Sequence, residues 1–68
     1  MQNPKKTLDL HGEKHEDVER LVENFALLTK PPLKIITGHS ERMQHLVEDV
    51  LITHRFGYEK LPGSIRVF

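Results

Sequence analysis

The stretch Thr7-Leu8-Asp9-Leu10-His11-Gly12 decides how the rest of the chain is arranged. Side chains alternate between the two faces of an extended strand, so the two leucines are predicted to enter a core while Asp9 and His11 share the opposite face. Gly12 permits a sharp turn after the strand and lets another molecule approach the backbone. A carboxylate can fix the tautomer of a neighbouring imidazole, so Asp9 and His11 form a candidate chemical pair.

Length and composition restrict the classes of protein to which this chain can belong. Its 68 residues form one small domain, and such a domain buries only about 60% of the surface that its unfolded chain exposes. There is no cysteine, which excludes disulfides and thiolate zinc sites and is compatible with the cytoplasmic location that we expect. No apolar run approaches the roughly 18 residues of a membrane span, so no membrane association is expected. Ten basic and ten acidic residues balance, so any contact with nucleic acid must use a local patch.

Two amphipathic helices are predicted after the first strand. Residues 1–6 are polar and are expected to be a disordered lead-in to a single domain spanning residues 7–68. Between Glu13 and Leu28, apolar residues recur at helical spacing and predict one buried stripe, and Pro31 and Pro32 then stop the helix. Ser40 is a good N-cap for a second helix. The buried stripes predicted for the two helices are Val18, Leu21, Val22, Phe25 and Leu28, and Met43, Leu46, Val47, Val50 and Leu51.

Three further strands complete the pattern. Leu33–Thr37 is rich in β-branched residues, and a strand, a helix and another strand imply parallel pairing. Gly57 is available for a left-handed position after the second helix. Tyr58–Leu61 is predicted to be an edge strand, joined by a short turn to an antiparallel strand over Ser64–Phe68. The sequence thus predicts an α/β two-layer sandwich of order β-α-β-α-β-β, with two helices on one face of a four-stranded mixed sheet.

The motifs, taken together, resemble the Smr (small MutS-related) domain. The family opens with Leu-Asp-Leu-His-Gly before a helix, as residues 8–12 do here. Thr37-Gly38-His39-Ser40 is similar to the family's Thr-Gly-x-Gly turn, with serine in place of the last glycine, and residues 62–68 resemble its glycine-led last strand. The resemblance covers residues 7–68 and implies a fold similar to the C-terminal domain of translation initiation factor 3.

This resemblance implies an endonuclease that nicks or cleaves DNA or RNA, with Asp9 and His11 as catalytic residues. His11 would act as general acid or base with Asp9 orienting it, or Asp9 would hold a divalent cation such as magnesium. No cofactor is certain, and no zinc site is expected because the histidines lack a convincing set of ligands. The family is often attached to larger nucleic-acid-processing proteins, which implies such a partner.

Backbone amides at the second turn, at the start of a helix, are suited to cradle a phosphate. The candidate nucleic-acid-binding residues are those of the two turns and two nearby arginines: Gly12, Thr37, Gly38, His39, Ser40, Arg42 and Arg66. Arg66 is predicted to lie on the open sheet face. Each of these residues also has an ordinary structural interpretation: Asp9 as a turn cap, His11 as a strand-end residue, Gly38 as a tight turn, His39 as an exposed loop residue.

Two other functions therefore stay open. One is a non-catalytic module that binds nucleic acid through Arg42, Arg66, Lys34 and the lysines near the start. The other is a protein-interaction domain that receives a partner chain on its open sheet face or edge strand.

Overall fold

The computed structural model describes residues 6–68 and has the predicted order of elements. Residues 1–5 of the predicted lead-in lie outside the described part of the chain. The elements are β1 (Thr7–Asp9), α1 (His15–Thr29), β2 (Leu33–Ile36), α2 (Glu41–Thr53), β3 (Tyr58–Leu61) and β4 (Ser64–Val67). The carbonyl oxygen of Lys6 accepts a hydrogen bond from Lys34 N at 2.8 Å, so pairing of the first strand begins at Lys6.

The strands form one mixed sheet in the order β1-β2-β4-β3. β1 and β2 run parallel, whereas β4 is antiparallel to both of its neighbours. The parallel pairing of the first two strands, the antiparallel pairing of the last two and the edge position of β3 are all confirmed. The last strand of the sequence thus lies in the centre of the sheet.

Both helices pack on the same face of this sheet and share one core. The alternate residues of β2 and β4 that face the helices are buried, whereas Lys34 and Arg66 between them are exposed. Leu10, which follows β1, is joined in the core by these fully or largely buried side chains of the helices and strands: Val18, Val22, Leu33, Ile35, Met43, Val47, Val50, Leu51, Ile65 and Val67. In the described part of the chain, no helix packs against the opposite face of the sheet.

The predicted stripe of α1 is wrong at its last member. Leu28 is 82% exposed, and Ala26, which the stripe omitted, is buried. Four-residue steps from Val18 through Val22 lead to Ala26, and each residue turns the helix by about 100°. Leu28 therefore lies about 200° around the helix from Ala26 and points away from the sheet.

The two helix starts differ in their capping. Ser40 caps α2, since its Oγ accepts a hydrogen bond from Met43 N at 3.2 Å, as predicted. α1 begins at His15, two residues after the predicted start, because a turn occupies the chain up to Glu13. Its N-cap residue, Lys14, makes no side-chain cap hydrogen bond.

The end of α2 corrects the prediction for Gly57. The left-handed residue is Arg55, with φ +61°. Arg55 N donates to the carbonyl of Ile52 at 3.0 Å, and Phe56 N donates to the carbonyl of Leu51 at 2.8 Å. This is the Schellman arrangement, whose left-handed residue immediately follows the C-cap. Gly57 comes two residues too late for this position.

Within residues 6–68, neither helix combines the length and apolar character needed to cross a membrane.

Candidate functional site

The first part of the candidate site is the turn that follows β1. Glu13 N donates to the carbonyl of Leu10 at 3.0 Å, and Gly12 has φ +86°. A positive φ at the third residue of a four-residue turn is the type II geometry that favours glycine. His11 is the second residue of this turn, so its exposed side chain lies at the corner of the chain.

Asp9 holds this turn through the backbone rather than through the imidazole. Its Oδ1 accepts a hydrogen bond from His11 N at 2.9 Å. Within residues 6–68 the ring of His11 has no hydrogen-bond partner, so the expectation that Asp9 orients the ring is not met in this structure. This hydrogen bond agrees with the interpretation of Asp9 as a turn cap. Both side chains lie outside the core, as the alternation predicted.

The second part of the site is the turn between β2 and α2. Gly38 has φ +70°, which explains why glycine stands there. The amides of Thr37 and Gly38 both donate to the carbonyl of Gly63, at 3.1 and 3.0 Å. The carbonyl of Gly38 in turn accepts from Thr37 Oγ1 at 3.0 Å and from Gln44 Nε2 at 3.4 Å.

These bonds remove the amide of Gly38 from the expected phosphate cradle. The amide of Gly38 is occupied by the β3–β4 turn, and Thr37 is buried, so neither presents a donor to solvent. Among residues 6–68 the amides of His39 and Ser40 donate no backbone hydrogen bond. The first amides of a helix have no partner within the helix, so those of Glu41 and Arg42 follow them at the start of α2. His39 and Ser40 are exposed beside them, and the Arg42 side chain is exposed as well. Among residues 6–68, the amides of this turn that are left to meet an anion therefore lie after the glycine, toward the helix.

The two turns start from neighbouring strands at the same edge of the sheet. Asp9 lies opposite Ile36, and Leu10 N donates to the carbonyl of Ile36 at 2.9 Å. Asp9 is thus level with the last residue of β2, and the chain enters the second turn immediately afterwards. The predicted juxtaposition of the two turns is confirmed at the level of the backbone.

Arg66 lies on the open face, as predicted, but at a distance from the turns. Its register partner on β2 is Lys34, two residues before Ile36. Two residues along a strand correspond to about 7 Å. Arg66 therefore belongs to the open face beside Lys34 and not to the edge that carries His11.

The structure adds groups that the sequence interpretation missed. The guanidinium carbon of Arg66 lies 5.7 Å from the ring centroid of Phe68, and the ring is 58% exposed. The alternation of β4, which placed Arg66 on the open face, also carries Phe68 there and was the available signal. Lys6, one of the lysines near the start that the binding-module alternative includes, is exposed and is bonded to this region through its backbone.

A second missed cluster joins α2 to β3. Tyr58 Oη donates to Glu48 Oε1 at 3.0 Å, and Lys60 Nζ lies 3.4 Å from Glu48 Oε2, a buried oxygen that accepts no hydrogen bond from residues 6–68. Burial raises the pKa of Tyr58, and the hydrogen bond to Glu48 and the negative charges of Glu48 and Asp49 raise this pKa further. The cluster stabilises the packing of the edge strand and lies apart from both turns.

Metal ligands are sparse in the described residues. Residues 6–68 contain no group of three or more histidine and carboxylate side chains that would hold a metal ion. Magnesium commonly uses one or two carboxylates together with substrate phosphates. Asp9 has one carboxylate oxygen outside its hydrogen bond to His11 and would be the protein ligand of such an ion.

Comparison of the chain with protein-family models, with curated proteins and with solved structures finds no match.

Proposed function

We propose that this domain is an Smr-type endonuclease that hydrolyses phosphodiester bonds in DNA or RNA, with His11 as its general acid or base. The observation that carries the proposal is the position of His11. Its ring, which has no hydrogen-bond partner among residues 6–68, stands at the corner of a glycine turn, beside the turn that leads to the N-terminus of α2. A phosphate held between the two turns would have a proton-transfer group on one side and helix amides on the other.

Hydrolysis of a phosphodiester bond requires the transfer of a proton from the attacking water to the leaving oxygen. In hydrolysis, the water oxygen bonds to phosphorus, the bond from phosphorus to the leaving oxygen breaks, and one water proton ends on that leaving oxygen. We assign to His11 either the removal of the proton from water or its delivery to the leaving oxygen. Arg42 and the first amides of α2 would stabilise the charge on the non-bridging phosphate oxygens.

Asp9 acts in this proposal mainly as a positioning residue. Its hydrogen bond to the amide of His11 fixes the turn from which the imidazole projects. A magnesium ion bound through the other carboxylate oxygen would supply Lewis-acid stabilisation of the phosphate. We also place the activity in the cytoplasm, with which the absence of cysteine is compatible, and within the reach of a larger nucleic-acid-processing partner.

A non-catalytic nucleic-acid-binding module is the second candidate, and two observations favour it. Asp9 is engaged with the backbone and leaves the imidazole without an orienting partner among residues 6–68. The amide of Gly38 is engaged with Gly63, which reduces the number of donors at the second turn. In this alternative the exposed cations bind phosphate without cleavage.

A cleavage assay separates the two candidates. The purified full chain is incubated with labelled DNA and RNA of the same sequence, each containing a hairpin and a single-stranded segment, with and without Mg²⁺. His11→Ala is compared with His45→Ala, because His45 is also exposed but lies within α2 and in neither turn. General acid–base catalysis typically contributes about 10²–10⁴-fold, so His11→Ala is expected to lower the cleavage rate by about 100-fold or more and His45→Ala to leave it unchanged.

The other outcomes are equally informative. Equal cleavage by wild type and His11→Ala would assign the activity to a contaminant and reject the catalytic proposal. Salt-dependent binding without cleavage would select the binding module, since phosphate contacts weaken as salt is added. An absence of binding to every oligonucleotide would reject both candidates.

A further inference from the structure

The open face of the sheet carries a row of polar side chains that crosses all four strands. The register places Thr7, Lys34, Arg66 and Glu59 side by side. The next row, one step closer to the two turns, consists of Asp9, Ile36, Ser64 and Leu61. Asp9 thus shares a face with the cations, and a ligand lying along this face would reach the turn that carries His11.

Two like charges stand opposite each other in the middle of this row. Lys34 and Arg66 are direct cross-strand partners on the central strands, and both are exposed. Like charges directly opposite one another on a sheet destabilise it. Over residues 6–68 neither cation has a carboxylate within 4.0 Å, although Glu59 is the partner of Arg66 on the edge strand. A bound anion would relieve the repulsion that the fold leaves in place.

Apolar surface lies next to these cations. A shallow groove of about 360 Å³ is lined by Lys6, Pro32, Leu33, Lys34, Leu61 and Arg66. Three cations therefore meet the apolar side chains of Pro32 and Leu61, which form an apolar floor, in one depression. The side chain of Leu33 is buried in the core on the helix side of the sheet. The ring of Phe68, which lies near the guanidinium of Arg66, adds an exposed aromatic surface to the same face.

The cleft between the two helices, in contrast, is lined by acidic side chains. It measures about 180 Å³ and includes the carboxylates of Glu19, Glu23 and Asp49. These charges repel phosphate. His54 Nε2 lies 2.8 Å from Glu23 Oε2 in that cleft, a contact that ties the helices together.

We infer that the open sheet face binds a single-stranded segment of nucleic acid and directs it toward the turn of Asp9 and His11. Phosphates contact Lys6, Lys34 and Arg66, while unpaired bases lie against the apolar floor and the ring of Phe68. Cationic grooves combined with aromatic platforms are the general means of binding single strands. A duplex offers the phosphates but hides the faces of its bases, so no base of a duplex would pack on the apolar floor. The inference rests on the proposed function and specifies the substrate class of that site.

The test is a binding titration by fluorescence anisotropy with the full chain. The probes are a labelled single-stranded oligonucleotide, as DNA and as RNA, and a blunt duplex of the same length. Arg66→Ala is compared with Arg20→Ala, which removes the same side chain from the exposed side of α1, where it pairs with Asp17 at 3.3 Å. Circular dichroism confirms that each variant is folded.

We expect the single strand to bind more tightly than the duplex. An exposed charge contact contributes up to about 1 kcal/mol, so Arg66→Ala and Lys34→Ala are each expected to weaken binding by about two- to fivefold. The slope of log K against log salt should become shallower by about 0.7 for each phosphate that a variant no longer binds. Arg20→Ala should leave both quantities unchanged. Phe68→Leu, which keeps an apolar side chain but removes the ring, should weaken the single strand and spare the duplex.

Five results would overturn the inference. Equal effects of Arg66→Ala and Arg20→Ala would indicate attraction by overall charge alone. Tighter binding of the duplex than of the single strand would show that bases do not pack on the apolar floor. Displacement of the labelled single strand by an acidic peptide as effectively as by the unlabelled single strand would identify a general anion-binding surface. If Arg66→Ala and Lys34→Ala bind normally while His11→Ala still abolishes cleavage, the inference fails and the proposed function stands. If the wild type binds no oligonucleotide, both fail.

Discussion

Substitutions of Asp9 separate its structural contact from any role of its charge. Asp9 Oδ1 accepts the amide of His11 at 2.9 Å on an exposed turn. Asp9→Ala removes the acceptor, whereas Asp9→Asn keeps a side-chain oxygen that can accept the same bond and removes the negative charge. The two variants therefore make different predictions for stability and for activity.

The expected change in the free energy of unfolding follows from this single hydrogen bond. A hydrogen bond of this kind contributes about 0.5–1.5 kcal/mol, so Asp9→Ala is expected to lower the free energy of unfolding by about 1 kcal/mol. For a domain of this size, about 1 kcal/mol corresponds to a decrease in Tm of about 4–8 °C. Asp9→Asn is expected to unfold close to the wild-type temperature. If the charge of Asp9 serves the reaction, the asparagine variant loses cleavage while keeping stability.

Thermal unfolding followed by circular dichroism, with the cleavage assay on the same preparations, provides the measurement. An alanine variant as stable as the wild type would show that the turn does not depend on this hydrogen bond. An asparagine variant that is as unstable as the alanine variant would show that charge, rather than the acceptor, holds the turn. Normal cleavage by the asparagine variant would restrict Asp9 to positioning.

Three further predictions concern stability, each followed by urea denaturation. Leu51→Ala should cost about 2–5 kcal/mol because the side chain is fully buried, whereas Leu28→Ala, at an 82% exposed position, should change stability by about 0.5 kcal/mol or less. Because the folded state raises the pKa of Tyr58 above 10.0, its protonated hydroxyl stabilises the fold fully below pH 10 and less as pH rises further. Tyr58→Phe should therefore remove part of the alkaline loss of stability. Arg55→Gly should stabilise the domain by about 0.5–1 kcal/mol, because φ +61° suits glycine better than arginine.

Each of these predictions has an outcome that contradicts it. Similar losses of unfolding free energy for Leu28→Ala and Leu51→Ala would mean that the Leu28 side chain is buried in solution. Identical pH profiles of wild type and Tyr58→Phe would show that the Tyr58–Glu48 bond does not couple to folding. If Arg55→Gly is less stable than the wild type, the contacts of the arginine side chain stabilise the fold by more than the relief of backbone strain does.

Local rules were sufficient for the parts of this fold that are decided within a few residues. Alternation predicted which face of β1 carries Asp9, and hydroxyl capping predicted the start of α2 at Ser40. The two prolines and the glycines marked the ends of elements. Parallel pairing of β1 and β2 also followed, since a helix between two strands leaves few other arrangements.

Local rules were insufficient where two patterns compete over a short distance. Leu28 continues the apolar spacing of α1, yet the buried face is set by the sheet beneath Val18, Val22 and Ala26. Gly57 is a suitable left-handed residue, yet the helix ends earlier and imposes that conformation on Arg55. In both cases the position of a neighbouring element outweighs the preference of the single residue.

The sequence by itself determined the order of the elements, the edge position of β3 and the presence of an acid and an imidazole on an exposed strand end. Only the tertiary structure decided what these groups contact. Gly63, distant in the chain, occupies the amide of Gly38, and the central position of β4 brings Arg66 against Lys34. Alternation and capping act between near neighbours, whereas hydrogen bonds between turns and charge pairs across strands depend on how distant segments meet.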